Sequence, residues 1–466
     1  MKMWAGRFRQ PLDPQFEQWQ RSFPFDRRLI EDELSASRAH ARALRAAGVL
    51  SGAELGSILR GLEQIGEQAA NPEFLQDEEA EDVHHFVEKQ LVALIGEAGY
   101  KLHSGRSRNE QIATDLRLYI RRSIENLQRG LGELVESLVT RAEKAGAAAM
   151  PSYTHLQPAE PVLVAHWLLA YAEMFFRDSA RLADCRKRLN QCPLGSGAVA
   201  GSTLALDRAA TASELGFDGP TANSLDATGD RDFAIEFVQA LSLIAVHFSR
   251  FAEEMILFAT REFGFVRLPE AFSTGSSAMP QKQNPDAMEL IRGKAARVIG
   301  DATALMTTVK GLPLAYNKDL QETQEPVFSA DETMQAVISI AADFISTVEF
   351  DYERMHSAAS SGFMNAMAAA HYLVARGVPF RHAHEQIGQA VQWCLEKRCE
   401  LDEMPLDELH RFAPQADQDF YSHLTLDAVL GCHDVQGGTA PSRVRQALAQ
   451  ARERVATLKG ELHAHA

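Results

Sequence analysis

From Ile112 to Leu138 an aliphatic residue recurs at intervals of 4, 4, 4, 3, 4, 3 and 4, through Leu116, Ile120, Ile124, Leu127, Leu131 and Leu134. Such spacing returns side chains to one face of an α-helix. A stripe this narrow and this long is a bundle seam, which needs partner helices on more than one side. Suitable partners follow: alanine- and leucine-rich runs over 162–190, 232–262, 286–310 and from the 312–322 turn to about Phe350. Shorter helical patterns flank them. Phe25 to Ala47, Gly52 to Ala69 and a segment from Val83 precede the seam; Asn365–Arg376, Phe380–Lys397 and a run from Ser442 close the chain. Strand patterns are nearly absent. The expected fold is all-α in three helical domains: 1–105, a central long-helix bundle over 106–350, and 351–466.

Charge and cysteine content narrow the classes of function. A net charge of −16 over 466 residues argues against a nucleic-acid partner and against anionic membranes. No run is apolar for long enough to read as a membrane span. The five cysteines form no CxxC pair and no ligand spacing, which points to reduced thiols in a cytoplasm and no zinc site. His84 and His85 are adjacent, and neighbours on a helix face different ways, so no metal site is expected there. The acidic run Asp77–Asp82 reads as a solvated helix entry.

Chemistry concentrates in the polar stretches between the helices. Phe272 to Asn284 carries Gly275, paired serines and Lys282, with Pro280 and Pro285 denying it a regular helix. It reads as a mobile loop docked on a helix that starts near Asp286. Hydroxyls, a cation and an amide on one loop suit removal of a proton from carbon beside a carboxylate. The dianion formed there needs positioned donors, for which Lys282 and Asn284 are fitted. Ser276 can serve as the base if loop amides and Lys282 stabilise its alkoxide. His103 to Gln111 packs two arginines, two serines and an asparagine around Gly105, an anion-binding turn at a helix start. Ser152 to Pro161 reads as a polar turn between helices. Pro193 to Gly201 has no preceding strand, does not fit a phosphate loop, and reads as a flexible turn.

The stretch from Gly275 to Pro285, GSSAMPQKQNP, resembles the signature loop of the fumarase/aspartase superfamily. Within it the chain is most similar to the argininosuccinate lyases. Trp4–Phe8 (WAGRF), His103–Gln111 (HSGRSRNEQ), Tyr153–Gln157 (YTHLQ), Leu314–Glu322 and Gly377–Arg381 all resemble that family's segments, so the match runs nearly end to end. The resemblance implies a fumarase/aspartase-like fold and elimination of fumarate from argininosuccinate, without metal or organic cofactor. It also implies a cytoplasmic homotetramer whose active sites are shared by three subunits. By position, Ser276 would take the Cβ proton, and Lys282 and Asn284 would hold the aci-carboxylate. Ser107, Arg108, Asn109 and Thr154 would bind the succinyl carboxylates. His155, paired with Glu289, would give a proton to the leaving group or polarise the site. Ser22, Tyr316 and Gln321 would face the guanidino half.

Departures from the family pattern cluster. Gln324 stands where a lysine lining the site is usual, Gln283 replaces a second loop lysine, Glu110 an aspartate and Gly229 a serine; Ala366–Ala368 replaces a common Ala-Thr-Asp. The fumarate-releasing half is intact, and the changes fall mostly towards the leaving group. Argininosuccinate is therefore the leading substrate and another N-substituted aspartate the alternative. A catalytically silent structural homologue is the third reading.

Overall fold

The computed structural model describes residues 10–465; the Trp4–Phe8 segment lies outside them. Long helices dominate, as the seam predicts: Arg108–Ala145, Val164–Leu189, Asp232–Ala259, Asp286–Val309 and Gln324–Thr347. All eight seam residues are buried. Asp232–Ala259 is also long and apolar enough to cross a membrane, but half of its most apolar window is buried inside the protein.

The described chain divides into two compact units. One comprises the chain through Asn126 together with Ala180–Leu243 and Arg297–Met334. Here Ile30–Ala46, Gly52–Ala69 and Val83–Ile95 pack on one another. Gly61 allows the last two to approach closely, since a Cβ there would lie 2.6 Å from Leu91 Cδ1. Ser51 and Glu54 form a reciprocal capping box at the start of the second helix. Ala36, Ala39, Leu118, Leu194 and Phe217 belong to a further buried cluster.

The other unit comprises Leu127–Ser179, Ile244–Ala296 and Gln335–Ala466. Its closing part is a helical hairpin, Ala366–Ala375 and Phe380–Lys397, packed with Leu401, Leu409 and Phe420. An aromatic group around Trp167, Phe258, Phe263 and Phe265 sits beneath Tyr153. The stretch expected to be a turn at 152–161 belongs to a β-hairpin, Ala149–Thr154 against Gln157–Leu163. Its turn residues His155 and Leu156 both have positive φ, 55° and 58°. That is the backbone a two-residue hairpin demands, usually signalled by Asn-Gly. With His-Leu in its place, the sequence carried no hairpin signal.

Candidate active site

The signature loop is itself a short hairpin. Thr274–Gly275 pairs antiparallel with Gln283–Asn284, so Gly275 is strand-like and takes no left-handed conformation. The Thr274 amide and hydroxyl both donate to Asp286 Oδ2, at 2.9 and 2.7 Å, pinning the hairpin to the start of Asp286–Val309. The Thr274 hydroxyl holds the Asp286 carboxyl below its ordinary range. Asn284 Nδ2 donates to Thr274 Oγ1 at 3.3 Å. At the tip, the amides of Ala278 and Met279 donate to Ser276 Oγ at 3.2 and 3.0 Å. Two N–H donors on one hydroxyl oxygen favour its anionic form. Lys282 and Glu289 are exposed.

His155 and Thr154 stand at the exposed tip of the other hairpin. A non-glycine residue in the left-handed region is uncommon, and two in succession store backbone strain at the tip. Within one chain, among the described residues, no hydrogen bond or ion pair joins His155 to Glu289.

The remaining sequence candidates belong to the first unit. Ser107 caps the helix that begins at Arg108, its Oγ accepting from the Asn109 amide at 3.3 Å. Arg108 Nε lies 3.1 Å from Asp82 Oδ2. Asn109 Nδ2 donates to the Ala198 carbonyl at 3.4 Å. Ser22, almost fully buried, donates through Oγ to Asp26 Oδ2 at 2.6 Å, and the Val83 amide donates to Asp26 Oδ1 at 3.0 Å. Burial first, and the neighbouring Asp82 charge second, push the Asp26 carboxyl up to about 8. Tyr316 is likewise raised by burial, with the buried Arg231 guanidinium pulling the other way. Gln321 Nε2 donates to the Gln20 carbonyl at 3.1 Å. Gln324 is buried, and its Oε1 accepts no hydrogen bond.

Asp26 and Asp82 are therefore the functional candidates that sequence reasoning missed. The available signals were the Ser22/Asp26 spacing of one helical turn and the position of Asp82 before Val83. Asp82 is not the solvated entry expected from the acidic run. It is buried, and its Oδ1 accepts from the His85 amide at 2.7 Å. Asp77 is folded inward as well, taking the amides of Glu79 and Ala80 at 2.8 Å.

A family profile described as lyase matches residues 6–300, and one described as the argininosuccinate lyase C-terminal region matches 363–431. An argininosuccinate lyase of Koribacter versatilis is 59% identical over the whole of both chains. One from Acidobacterium capsulatum is 57% identical, covering 98% of this chain and 96% of its own. The chain belongs to the argininosuccinate lyase family. Among solved structures, an EDDS lyase variant with bound fumarate aligns with a TM-score of 0.84 at 25% identity, covering 98% of this chain and 92% of that one. Those alignments place the chain in the fumarase/aspartase superfamily, with its all-α architecture.

Three departures from the family pattern acquire a structural meaning. Glu110 is fully buried and takes the Ser107 amide on Oε1 and the Gly197 amide on Oε2, both at 2.9 Å. It fastens the 193–201 stretch, of which residues 193–197 are buried; this is a fixed turn, contrary to the flexible one expected. Three backward-bending glycines, Gly195, Gly197 and Gly201, let it fold so tightly. Gly229 has no room for the usual serine, because a Cβ would lie 2.6 Å from the Ala315 carbonyl oxygen. Gln283 Nε2 reaches the Leu268 carbonyl at 3.2 Å, bracing the loop hairpin.

Proposed function

We infer that this chain cleaves argininosuccinate to L-arginine and fumarate by anti elimination, a step of arginine biosynthesis. The observation that carries the chemistry is the pair of amides on Ser276 Oγ. Ser276, as alkoxide, takes the Cβ proton of the succinyl group. The electron pair passes into the adjacent carboxylate, giving an aci-carboxylate dianion. Lys282 supplies a positive charge for that dianion and Asn284 an amide donor. Collapse of the dianion breaks the bond from Cα to the guanidino nitrogen, and His155 is the proton donor we assign to the departing arginine, paired with Glu289. Ser107, Arg108, Asn109 and Thr154 hold the succinyl carboxylates. Ser22, Tyr316, Gln321 and Gln324 face the guanidino half, to which Asp26 and Asp82 add carboxylates.

The proposed working form is a cytoplasmic homotetramer whose sites draw residues from three subunits, each chain built as a bundle over 106–350 between domains at 1–105 and 351–466. Exposed apolar residues on the long helices, such as Leu290, Ile299 and Met306, are consistent with burial against other copies. A second reading, another N-substituted aspartate as substrate, is favoured by Gln324 alone. The deciding experiment follows fumarate by ultraviolet absorbance with purified protein, argininosuccinate and EDTA. Rapid release supports the first reading. A folded tetramer that releases none, yet adds other amines to fumarate in reverse, establishes the second.

A further inference from the structure

Glu33, His84 and Asp115 come from three helices, Ile30–Ala46, Val83–Ile95 and Arg108–Ala145, and each brings one ligand atom within 4.8 Å of the others. His84 Nδ1 lies 2.8 Å from Glu33 Oε2 and 3.4 Å from Asp115 Oδ2, with every one of the three side chains at most 1% exposed. Bonds of about 2.0–2.2 Å to a shared ion separate nitrogen and oxygen ligands by roughly these distances. His85 takes no part; its Nδ1 accepts from the Glu81 amide at 3.2 Å.

The two carboxylates are not equally provided for. Glu33 Oε1 receives the Ser37 hydroxyl at 2.6 Å and a Gln111 amide proton at 3.2 Å, with Arg106 Nη2 3.8 Å away. Arg106 Nη1 in turn donates to Ser37 Oγ at 2.9 Å. The nearby Asp32 is matched by Arg122 at 2.7 Å. Asp115 has nothing comparable: among the described residues neither of its oxygens accepts a hydrogen bond, although it is completely buried. Arg106 is the cation nearest Glu33, while burial and the Glu33 charge beside it push the Asp115 carboxyl up towards its neutral form, so an entering cation takes the place of the proton held between the two carboxyls.

We propose that Glu33, His84 and Asp115 hold a divalent transition-metal ion of the zinc or cobalt class as a structural clamp between three helices. One imidazole and two carboxylates suit that class, and hard all-oxygen ions such as magnesium much less. The clamp would fix the helix that starts beside Asp82 to the helix that starts at Arg108, both of which carry substrate-facing residues. It takes no part in the elimination.

The probe is cobalt(II) or zinc supplied during expression of the untagged full chain, with metal analysis after desalting. His463 and His465 near the chain end offer a rival site, so the analysis uses His463→Ala/His465→Ala protein. The expected result is about one metal per chain, with X-ray absorption showing one imidazole and otherwise oxygen ligands. Folded Asp115→Asn and Glu33→Gln proteins should lose it. A metal-free tail variant overturns the proposal and leaves the trio as a proton-sharing cluster. So does bound metal with two or more imidazoles, or metal retained unchanged in folded Asp115→Asn. Because the tail variant decides by itself, failure of the core variants to fold leaves the test intact.

Discussion

Asp26 and Asp82 lie almost entirely out of solvent, whereas Ser276, Lys282 and Asn284 stand on a largely exposed hairpin. The buried set is already hydrogen-bonded to itself, Ser22 to Asp26, Val83 to Asp26 and Arg108 to Asp82. The hairpin has one prepared element, the two amides on Ser276 Oγ. Burial makes the charge of Asp26 conditional, since a carboxylate without water ionises only when a cation or a base compensates. Backbone amides carry no such condition; their strength is constant with pH and grows as water leaves. The contrast suits two tasks, a recognition set that responds to a cationic leaving group and a catalytic set that must act on every turnover.

The sharpest way to break this division is Ser276→Ala. Turnover should fall by about 10³–10⁶, with folding and assembly unchanged, because a base is removed from a surface hairpin. Fumarate release and circular dichroism measured together check it. If rate survives, the two amides serve only to shape the turn, and the base lies elsewhere.

Asp26 tests the other side. With its pKa raised to about 8, it holds a proton at neutral pH and ionises as pH climbs through that value. Affinity for a cationic guanidino group should rise with it, and arginine binding at pH 7 should release a proton. Calorimetry in buffers of different ionisation enthalpy reads this directly. The stability sign is opposite: the native state keeps a proton that the unfolded chain has lost, so stability drains away as pH rises from the ordinary aspartate range to about 8. Asp26→Asn should abolish the proton release and raise KM by about 10–100-fold, the scale of one charged hydrogen bond. Release that persists in the variant assigns the proton to another group.

How much of this was legible in sequence follows from what each part depends on. Seam helices announce themselves because burial repeats with the helix period, and the loop because Gly, Ser, Lys and Pro combine in one short segment. Asp26 and Asp82 carry only local signals that solvated acids share, a one-turn spacing from Ser22 and a place just before the helix at Val83. Only the fold puts Val83's amide on one and Arg108 beside the other. The hairpin at His155 was hidden for the opposite reason, since its residues contradict the turn they form. Glu33, His84 and Asp115 lie too far apart in sequence for any spacing rule to join them.

Gly229→Ser, which restores the family's usual residue, probes how rigidly the Tyr316 turn is held. The added Cβ meets the Ala315 carbonyl, and Ala315 already has a φ of 66°. A loss of about 1–3 kcal/mol is expected from overpacking against backbone that has little room to retreat. Denaturant unfolding measures it, and Ala315→Gly in the same chain should recover part of the loss by easing the turn. An unchanged midpoint would mean that the turn shifts freely.

Gln324→Met carries the smallest effect and asks whether the recognition set extends to that position. Gln324 is buried, and its Oε1 is a polar atom without a donor. An atom in that state costs stability unless something donates to it, and methionine replaces it at similar volume without the oxygen. The free enzyme should therefore unfold at higher denaturant, by about 1 kcal/mol. If the oxygen waits for an N–H of the leaving group, the same change should raise KM several-fold while kcat holds. Stability and affinity then move in opposite directions, which distinguishes a site held ready for a ligand from a packing defect. A gain in stability with KM unchanged would remove Gln324 from the recognition set and leave the reading as an argininosuccinate lyase without its one internal objection.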